Sequence, residues 1–432
     1  MPRPLSLHLY RALMTSLLPI LPYYLARRAK AGKEDSARLD ERYGRGYGAL
    51  GKANTKTGTN IWLHGVSVGE VSAALALARA ILTLNDKAHF IITTGTKTAA
   101  AMVKKSTADL PLTHCYAPFD APSCVARFLA HHHPDFGVIF ESDFWPTLMT
   151  STHEASIPLY LASAQMSDDS AKRWQKFPQL AHALFAPISG CFAHDEAQSA
   201  NFASLGITKT QTIGSLKLPD PAIKKTAFAK ELIKAGNGRL ILLGASTQPN
   251  EEAQILTISE HLKVRHIDHL LIIAPRHPDR GDSVAAMMPH AKRRSQGALP
   301  SPDDTHYLCD SLGDMASLYQ AADIVWLGAT FSGKGGHNPL EAASYGKPII
   351  CGPSQFKNQF EFDQLAERDV CHQISDARQS AQFIDEIYND DARRKRIAKA
   401  AKSYAKSAAK RPLIVARHIL NDIELNDIEK KG

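Results

Sequence analysis

The 432-residue sequence predicts an α/β protein of two Rossmann-like, doubly wound parallel-sheet domains, preceded by a segment suited to a membrane surface. Three observations carry this. The chain is longer than one hydrophobic core ordinarily serves. From Asn60 onward, apolar runs of strand length alternate with helix-period segments, the pattern of a parallel sheet covered by helices. The alternation halts near Gly214, in the breaker-rich stretch GSLKLPDP, and restarts at Arg239, so it describes two domains joined by a linker.

The N-terminal element comes first. Leu5 to Leu25 is apolar, but His8, Arg11, Pro19 and Pro22 interrupt it, whereas a spanning helix needs roughly 20 uninterrupted apolar residues. It therefore reads as a helix lying in the interface, and a single spanning helix is the other reading. Arg27, Arg28, Lys30 and Lys33 follow at once, each contributing about 1 kcal/mol near an anionic leaflet. Of the net charge of +8, residues 1–45 hold nine Lys and Arg against four Asp and Glu, a surplus of five. A cleaved signal peptide fits poorly, because the basic residues come after the apolar run and no small-residue cleavage site is clear. Both remaining readings put the body at the cytoplasmic face of a membrane, with an anionic lipid surface as partner. Nucleic acid is not expected, because no basic stripe with interleaved aromatics is visible.

Composition narrows the class further. Hydrophobic residues at 44% and charged residues at 22% are globular values, which exclude a disordered chain and a polytopic membrane protein. Six scattered cysteines without a C-x-x-C pair argue against a zinc site and a disulfide framework.

In the first domain, strands are expected at 61–66, 89–95, 112–118, 136–141, 158–164 and 190–195. In the second they are expected at 239–246, 269–275, 305–310, 323–329 and 347–352. After Cys371 the pattern is helical. Two such domains in tandem set the carboxyl ends of two sheets across a cleft, where ligands bind in folds of this type.

The first strand runs into His64-Gly-Val-Ser67-Val-Gly69-Glu70 and then a helix from about Val68. A general base must be ionised, and a helix N-terminus favours the charged form, so Glu70 suits that role. Ser67-x-x-Glu70 is equally a capping box, in which Glu70 only satisfies backbone amides. Glu141-Ser142-Asp143-Phe144-Trp145-Pro146 closes the fourth strand. Its two acids beside an aromatic suit a polar acceptor, or else Ser142 or Asp143 caps a helix with Pro146 in its first turn.

In the second domain Ser246-Thr247 and Pro275-Arg276 both follow strands, and Arg276 has the paired donors a phosphate or carboxylate takes. Gly328 to Lys334 fits G-x-x-x-x-G-K, but Gly335 stands where a phosphate-binding loop needs Ser or Thr for magnesium. Asn338 as cap and Pro339 as first helical residue also start the helix too late for such a loop. What remains is a glycine-rich turn, including Gly336 and His337, feeding a helix N-terminus whose free amides and dipole hold one phosphate. Glu341 in the first turn then reaches ribose hydroxyls or closes a capping box with Asn338. No metal is expected. Asp168-Asp169 and Asp303-Asp304 are adjacent pairs in polar stretches, and His131 to His133 read as a solvated helix end.

Taken together, these motifs resemble the bacterial Kdo transferases, also called 3-deoxy-D-manno-octulosonic acid transferases or lipid IV(A) Kdo transferases. The ordered set is Glu41-Arg42-Tyr43-Gly44, His64 to Glu70, Glu141 to Pro146, Gly214 to Lys217, Pro275 to His277, Gly313 to Met315, Gly335 to Glu341 and Gly352-Pro353. The resemblance implies a GT-B fold, CMP-Kdo as donor substrate with no other cofactor, and a lipid A precursor as acceptor at the cytoplasmic face of the inner membrane. It implies an inverting, metal-independent transfer with Glu70 as general base and Glu141 beside it. Pro275, Arg276, Gly313, Asp314, Met315, Asn338, Pro339, Leu340 and Glu341 would line the CMP site. Ser67, Gly69, Lys217, Ser246, Thr247, Gly336 and His337 would make further donor or acceptor contacts. It also implies an anchor at 1–45, an acceptor domain at 46–215, a CMP-sugar domain at 216–400 and terminal helices at 401–432 that cross back to the first domain. Two departures stand out: Ser142 to Phe144, where the family more often has Thr-Glu-Leu, and Lys334, where a smaller or apolar residue is common. Read without the resemblance, the residues also suit another nucleotide-sugar transferase or epimerase, or a non-catalytic membrane-bound nucleotide-binding protein.

Overall fold

The computed structural model describes residues 3–47, 58–217 and 226–431. The expected linker after Lys217 lies outside the described residues. The chain forms two compact units, one comprising Met1–Leu218 with Ala409–Gly432 and the other Pro219–Ala408.

The first unit holds a seven-stranded parallel sheet of β1 (Thr59–His64), β2 (Ala88–Thr94), β3 (Leu112–Tyr116), β4 (Phe136–Phe140), β5 (Leu159–Ala164), β6 (Gly190–Ala193) and β7 (Thr210–Thr212) in the order 3-2-1-4-5-6-7. Its central strands are apolar throughout because both faces are covered. Ile61 and Leu63 pack on one side with Val71, Ala74, Val415 and Ile419, whereas Trp62 points to the other side with Phe128, Leu148 and Phe185. The C-terminal helix Arg411–Lys431 thus covers the same face as the helix that follows β1, and Tyr160 donates to Asp422 at 2.7 Å to fix it.

Two helices precede this sheet, α1 (Leu5–Ser16) and α2 (Leu21–Lys30), and the first helix of the sheet layer is α3 (Val68–Leu82). The apolar N-terminal stretch is therefore broken, with Pro22 in the first turn of α2. No helix among the described residues is long and apolar enough to cross a membrane. Leu7, Leu21 and Leu25 are buried against the domain, whereas Leu5, Leu9, Leu13, Ile20 and Tyr23 are each more than half exposed.

The Glu41-Arg42-Tyr43-Gly44 segment staples these helices down. Arg42 donates to Glu34, to the Ala117 carbonyl at 3.0 Å and to the Gly95 carbonyl at 2.9 Å, while Glu34 also binds Arg28. Glu41 accepts from the Tyr116 amide at 2.7 Å. Gly44 ends this turn at φ 71°, where a Cβ would run into the Cys124 carbonyl.

The second unit repeats the architecture with β8 (Leu240–Thr247), β9 (His269–Pro275), β10 (Lys292–Arg293), β11 (His306–Leu308), β12 (Ile324–Leu327), β13 (Ile349–Cys351) and β14 (Cys371–Gln373) in the order 10-11-9-8-12-13-14. The helix Asp391–Ala408 stays in this unit, and the chain rejoins the first unit at Ala409.

Several local readings are corrected. Neither Ser142 nor Asp143 caps the helix Pro146–Glu154; Asp120 does so from a distant loop, accepting from the Thr147 amide at 2.9 Å and the Leu148 amide at 2.7 Å. His132 is not solvated but fully buried, against Tyr47 and Phe128. The helix after the glycine-rich turn begins at Leu340 rather than Pro339 and has five residues, too few to build much of a dipole.

Candidate functional site

The strand order turns back between β1 and β4 in the first unit and between β8 and β12 in the second, where β10 in addition lies outside β11 at the edge. Ligands of doubly wound sheets bind outside the carboxyl ends of the strands at such a switch point. The motifs read from the sequence lie there: His64 to Glu70 leaves β1, Glu141 to Asp143 leaves β4, Ser246-Thr247 ends β8 and the turn from Gly328 leaves β12.

In the first unit Ser67, Gly69, Glu70, Glu141 and Lys217 come together. The capping box at α3 is formed, and it occupies much of Glu70. Glu70 Oε2 accepts from the Val66 amide at 2.5 Å and the Ser67 amide at 3.3 Å, and Oε1 accepts from the Ser67 hydroxyl at 2.9 Å. Glu141 stands at φ 61°, and its carboxyl pairs with Lys217 Nζ. The Lys217 stem crosses Gly69 so closely that a Cβ there would meet Cε at 2.9 Å, which explains a glycine inside the first turn of a helix. Burial raises the Glu141 carboxyl above its ordinary range; Lys217 pulls it down and the charge of Glu70 pushes it up. Two coupled carboxyl groups with a lysine between them therefore mark this switch point.

Beside them lies a chain that sequence reasoning missed. The buried Trp62 indole donates to Thr93 Oγ1 at 2.9 Å, Thr93 Oγ1 meets His64 Nδ1 at 2.7 Å, and His64 Nε2 meets Asp143 Oδ2 at 2.6 Å. Burial alone would raise the Asp143 carboxyl, but His64, with a hydrogen bond from the Trp145 side chain, more than offsets it and holds it below the usual carboxylate range.

In the second unit the site is organised by a buried acid, Glu251, that the sequence did not single out. Its Oε2 accepts from the Gln248 and Ala329 amides, each at 2.8 Å, and its Oε1 from the Phe331 and Ser332 amides, each at 3.0 Å. One carboxylate thus shapes the start of the glycine-rich turn and ties it to the end of β8. Glu252, next to it, binds Arg280 with both oxygens, at 2.7 and 3.0 Å.

Around this hub stand Ser246, Arg276, His337 and Glu341. The Arg276 amide donates to the Thr247 carbonyl at 3.0 Å, and the residue is exposed. Burial of its carboxyl raises Glu341, against the opposing pull of Arg276 and of the Tyr319 hydroxyl, but the residue as a whole is exposed, which limits the effect. Burial and Arg276 lower His337 to about 4, so it is neutral at physiological pH.

Other predicted residues have different work. Thr247 is fully buried and donates to Glu252 at 2.7 Å, so its side chain offers nothing to a ligand. Asp314 accepts from Arg294 at 3.1 Å and Ser311 at 2.6 Å, so its carboxylate is engaged within the unit. Leu340 is core, and Pro275 and Pro339 are buried. The expected supply of free amides is also smaller: Gly335, Gly336, His337 and Leu340 donate to Ser354, Ala329, Gly328 and Asn338 respectively. Glu341 closes no box with Asn338, because its partner is Tyr319.

Residues 37–219 match the family model of 3-deoxy-D-manno-octulosonic-acid transferase (kdotransferase). The 3-deoxy-D-manno-octulosonic acid transferase of Rickettsia bellii is 33% identical over 360 residues, covering 82% of this chain and 84% of that one. Its counterpart from Haemophilus influenzae is 30% identical over 407 residues, covering 91% and 94%. Among solved structures, a glycosyltransferase from Rickettsia africae superposes with a TM-score of 0.60 at 14% identity, covering 85% of this chain and 99% of that chain. The UDP-GlcNAc 2-epimerase of Neisseria meningitidis does so with 0.60 at 12% identity, covering 84% and 100%. The solved structures establish the fold, GT-B, that an epimerase and a transferase share. The sequence relatives separate the two chemistries, and by them the chain belongs to the 3-deoxy-D-manno-octulosonic acid transferase family of glycosyltransferases.

Proposed function

We propose that the protein transfers Kdo from CMP-Kdo to a lipid A precursor, lipid IV(A), by a single inverting displacement without a metal ion, with Glu70 as general base. The observation that carries this reading is the meeting of Glu70, Glu141 and Lys217 at the switch point of the first sheet in a chain of this family. Glu70 would take the proton of a primary hydroxyl on the acceptor glucosamine as that oxygen attacks the anomeric carbon. Inversion follows from one displacement. Glu141, whose raised carboxyl keeps more of its proton, and Lys217 would hold the substrates beside it.

CMP leaves with negative charge. The exposed Arg276 is suited to offset it, the neutral His337 to donate to phosphate, and the Glu341 carboxyl to bind ribose hydroxyls. Because the amides of the glycine-rich turn are largely spent internally, the charge falls to Arg276 more than to a helix terminus.

The same reading puts the protein on the cytoplasmic face of the inner membrane. It is supported by the exposed row Leu5, Leu9 and Leu13 along one face of α1, continued by Ile20 and Tyr23, with exposed Arg27, Lys30 and Lys33 following. Incubation of the protein with lipid IV(A) and either CMP-Kdo or UDP-sugars, with product masses read by mass spectrometry, tests the proposal. Addition of Kdo from CMP-Kdo alone is expected; transfer from a UDP-sugar, or no transfer, refutes it.

A further inference from the structure

A pocket of the first unit borders the Glu70–Glu141–Lys217 group through Val66, whose amide donates to Glu70, without being lined by those three side chains. It has a volume of about 280 Å³, and its wall includes Leu21, Tyr24 and Leu25 of α2 on one side and His64, Asp143 and Trp145 on the other. It therefore joins the membrane-facing helices to the carboxyl ends of β1 and β4.

Its polar wall is unusual in being both built and open. His64 is fully buried and is held at both ring nitrogens, so the imidazole is fixed in place. An ionised Asp143 can only accept, so the proton in the 2.6 Å contact belongs to His64 Nε2. That contact uses Oδ2, the Trp145 side chain also hydrogen-bonds the carboxylate, and about a fifth of the Asp143 side chain stays accessible. Trp145 follows two residues later with 44% of its surface exposed, although a tryptophan ordinarily seeks burial. A fixed carboxylate beside an exposed aromatic is the arrangement that takes a sugar: the carboxylate accepts from hydroxyls, and the aromatic packs on the apolar C–H face of the ring. The charges exclude a phosphate as the main ligand. Arg42 and Arg28 are both paired with Glu34, and Asp120 and Asp143 add acidic groups to the same wall.

We propose that this pocket is a sugar subsite for the acceptor, in which Asp143 accepts a hydroxyl of the glucosamine headgroup, Trp145 packs on the ring, and His64 acts as a positioning residue that aims Asp143. The inference rests on the proposed function for the identity of the acceptor, and it assigns to residues 143 and 145 a role in recognition rather than in proton transfer.

The test is steady-state kinetics with CMP-Kdo and lipid IV(A) varied separately, on wild type, Asp143→Asn, Asp143→Glu and Trp145→Ala. In Asp143→Asn the His64 contact can persist through the amide oxygen, while the group facing the pocket turns from acceptor into donor. The acceptor KM is expected to rise at least tenfold in Asp143→Asn and at least fivefold in Trp145→Ala, with the donor KM within twofold of wild type. Asp143→Glu, which restores the carboxylate, is expected to recover part of the loss. An unchanged acceptor KM in both Asp143→Asn and Trp145→Ala, or an equal rise in both KM values, overturns the subsite. Should Asp143→Asn fail to fold, Trp145→Ala decides alone, because its side chain is already largely outside the core. Absence of transfer by the wild type is a failure of the functional reading, distinguishable from a working enzyme whose acceptor KM ignores these residues.

Discussion

Replacing Glu251 by Gln tests whether one buried carboxylate holds the glycine-rich turn of the second unit, the proposed CMP site, together. Glu251 is 1% exposed and receives four backbone N–H groups, two on each oxygen. A carboxamide has one oxygen, so in either orientation two of those donors face an NH2 group. Leaving a buried donor unsatisfied costs roughly 1–3 kcal/mol, so the expected loss is about 2–6 kcal/mol, with about 3 kcal/mol after local adjustment. For a unit of this size each kcal/mol lowers the melting temperature by about 2–4 °C, so a fall of about 6–12 °C is expected by calorimetry. Nucleotide affinity should fall with it, read as weaker CMP binding by titration calorimetry at a temperature where the variant is folded. A variant that melts within 2 °C of wild type and binds CMP equally well would refute the reasoning.

Gly44→Ala forces a left-handed residue and a clash with the Cys124 carbonyl, and it should cost about 2–4 kcal/mol, seen as a lower melting temperature of the first unit; an unchanged melt would contradict it. Asp120 is raised by burial from 3.8 to about 6, so its folded form binds a proton more tightly than the unfolded chain. Its stabilising contribution is therefore full below pH 3.8 and lost as the pH rises through 6, and the stability of wild type relative to Asp120→Asn should grow by on the order of 2–3 kcal/mol from pH 7 to pH 4; a flat difference in melting temperature would contradict this. Leu9→Glu with Leu13→Glu removes two exposed apolar side chains from α1, each contributing about 1.5–3 kcal/mol when buried in lipid. Co-sedimentation with anionic vesicles should fall at least tenfold with the melting temperature unchanged, and undiminished co-sedimentation would rule out this face.

The central strands were legible because a strand covered on both faces must be apolar along its length: HLLIIAP is β9 to the residue, and β1 holds IWLH but ends at His64, two residues before the expected end. Three of the four edge strands were not. Thr-Gln-Thr, Lys-Arg and Cys-His-Gln are too short and too polar to show a period, and only their neighbours make them β7, β10 and β14. Local caps followed from spacing where the partners are close, as with Ser67 and Glu70. Caps supplied from elsewhere did not. Asp120 serves a helix that begins at Pro146, so the nearer Asp143 was credited with a task it does not perform.

The site shows the same limit. Glu70, Glu141, Arg276 and Glu341 could be named from motifs, because strand ends and glycine-rich turns locate them, whereas Lys217 came only from the family resemblance. Glu251 and Glu252 could not, because two acids at a helix start read as solvated partners of the helix dipole, and burial is invisible in a sequence. The union of His64 with Asp143 spans 79 positions and depends on β1 and β4 being neighbours. That adjacency is a property of the sheet order, which spacing along the chain does not encode.

The account stands or falls on Glu70, and the decisive measurement is the turnover of Glu70→Gln with CMP-Kdo and lipid IV(A) beside its melting temperature. The amide oxygen can keep the Val66 and Ser67 amides while its NH2 turns to the Ser67 hydroxyl, so the cap of α3 should survive. A general base is worth about 10²- to 10⁴-fold, so kcat should drop at least 100-fold with a melting temperature within about 2 °C of wild type. Turnover within threefold of wild type would reduce Glu70 to a helix cap and remove the proposed mechanism.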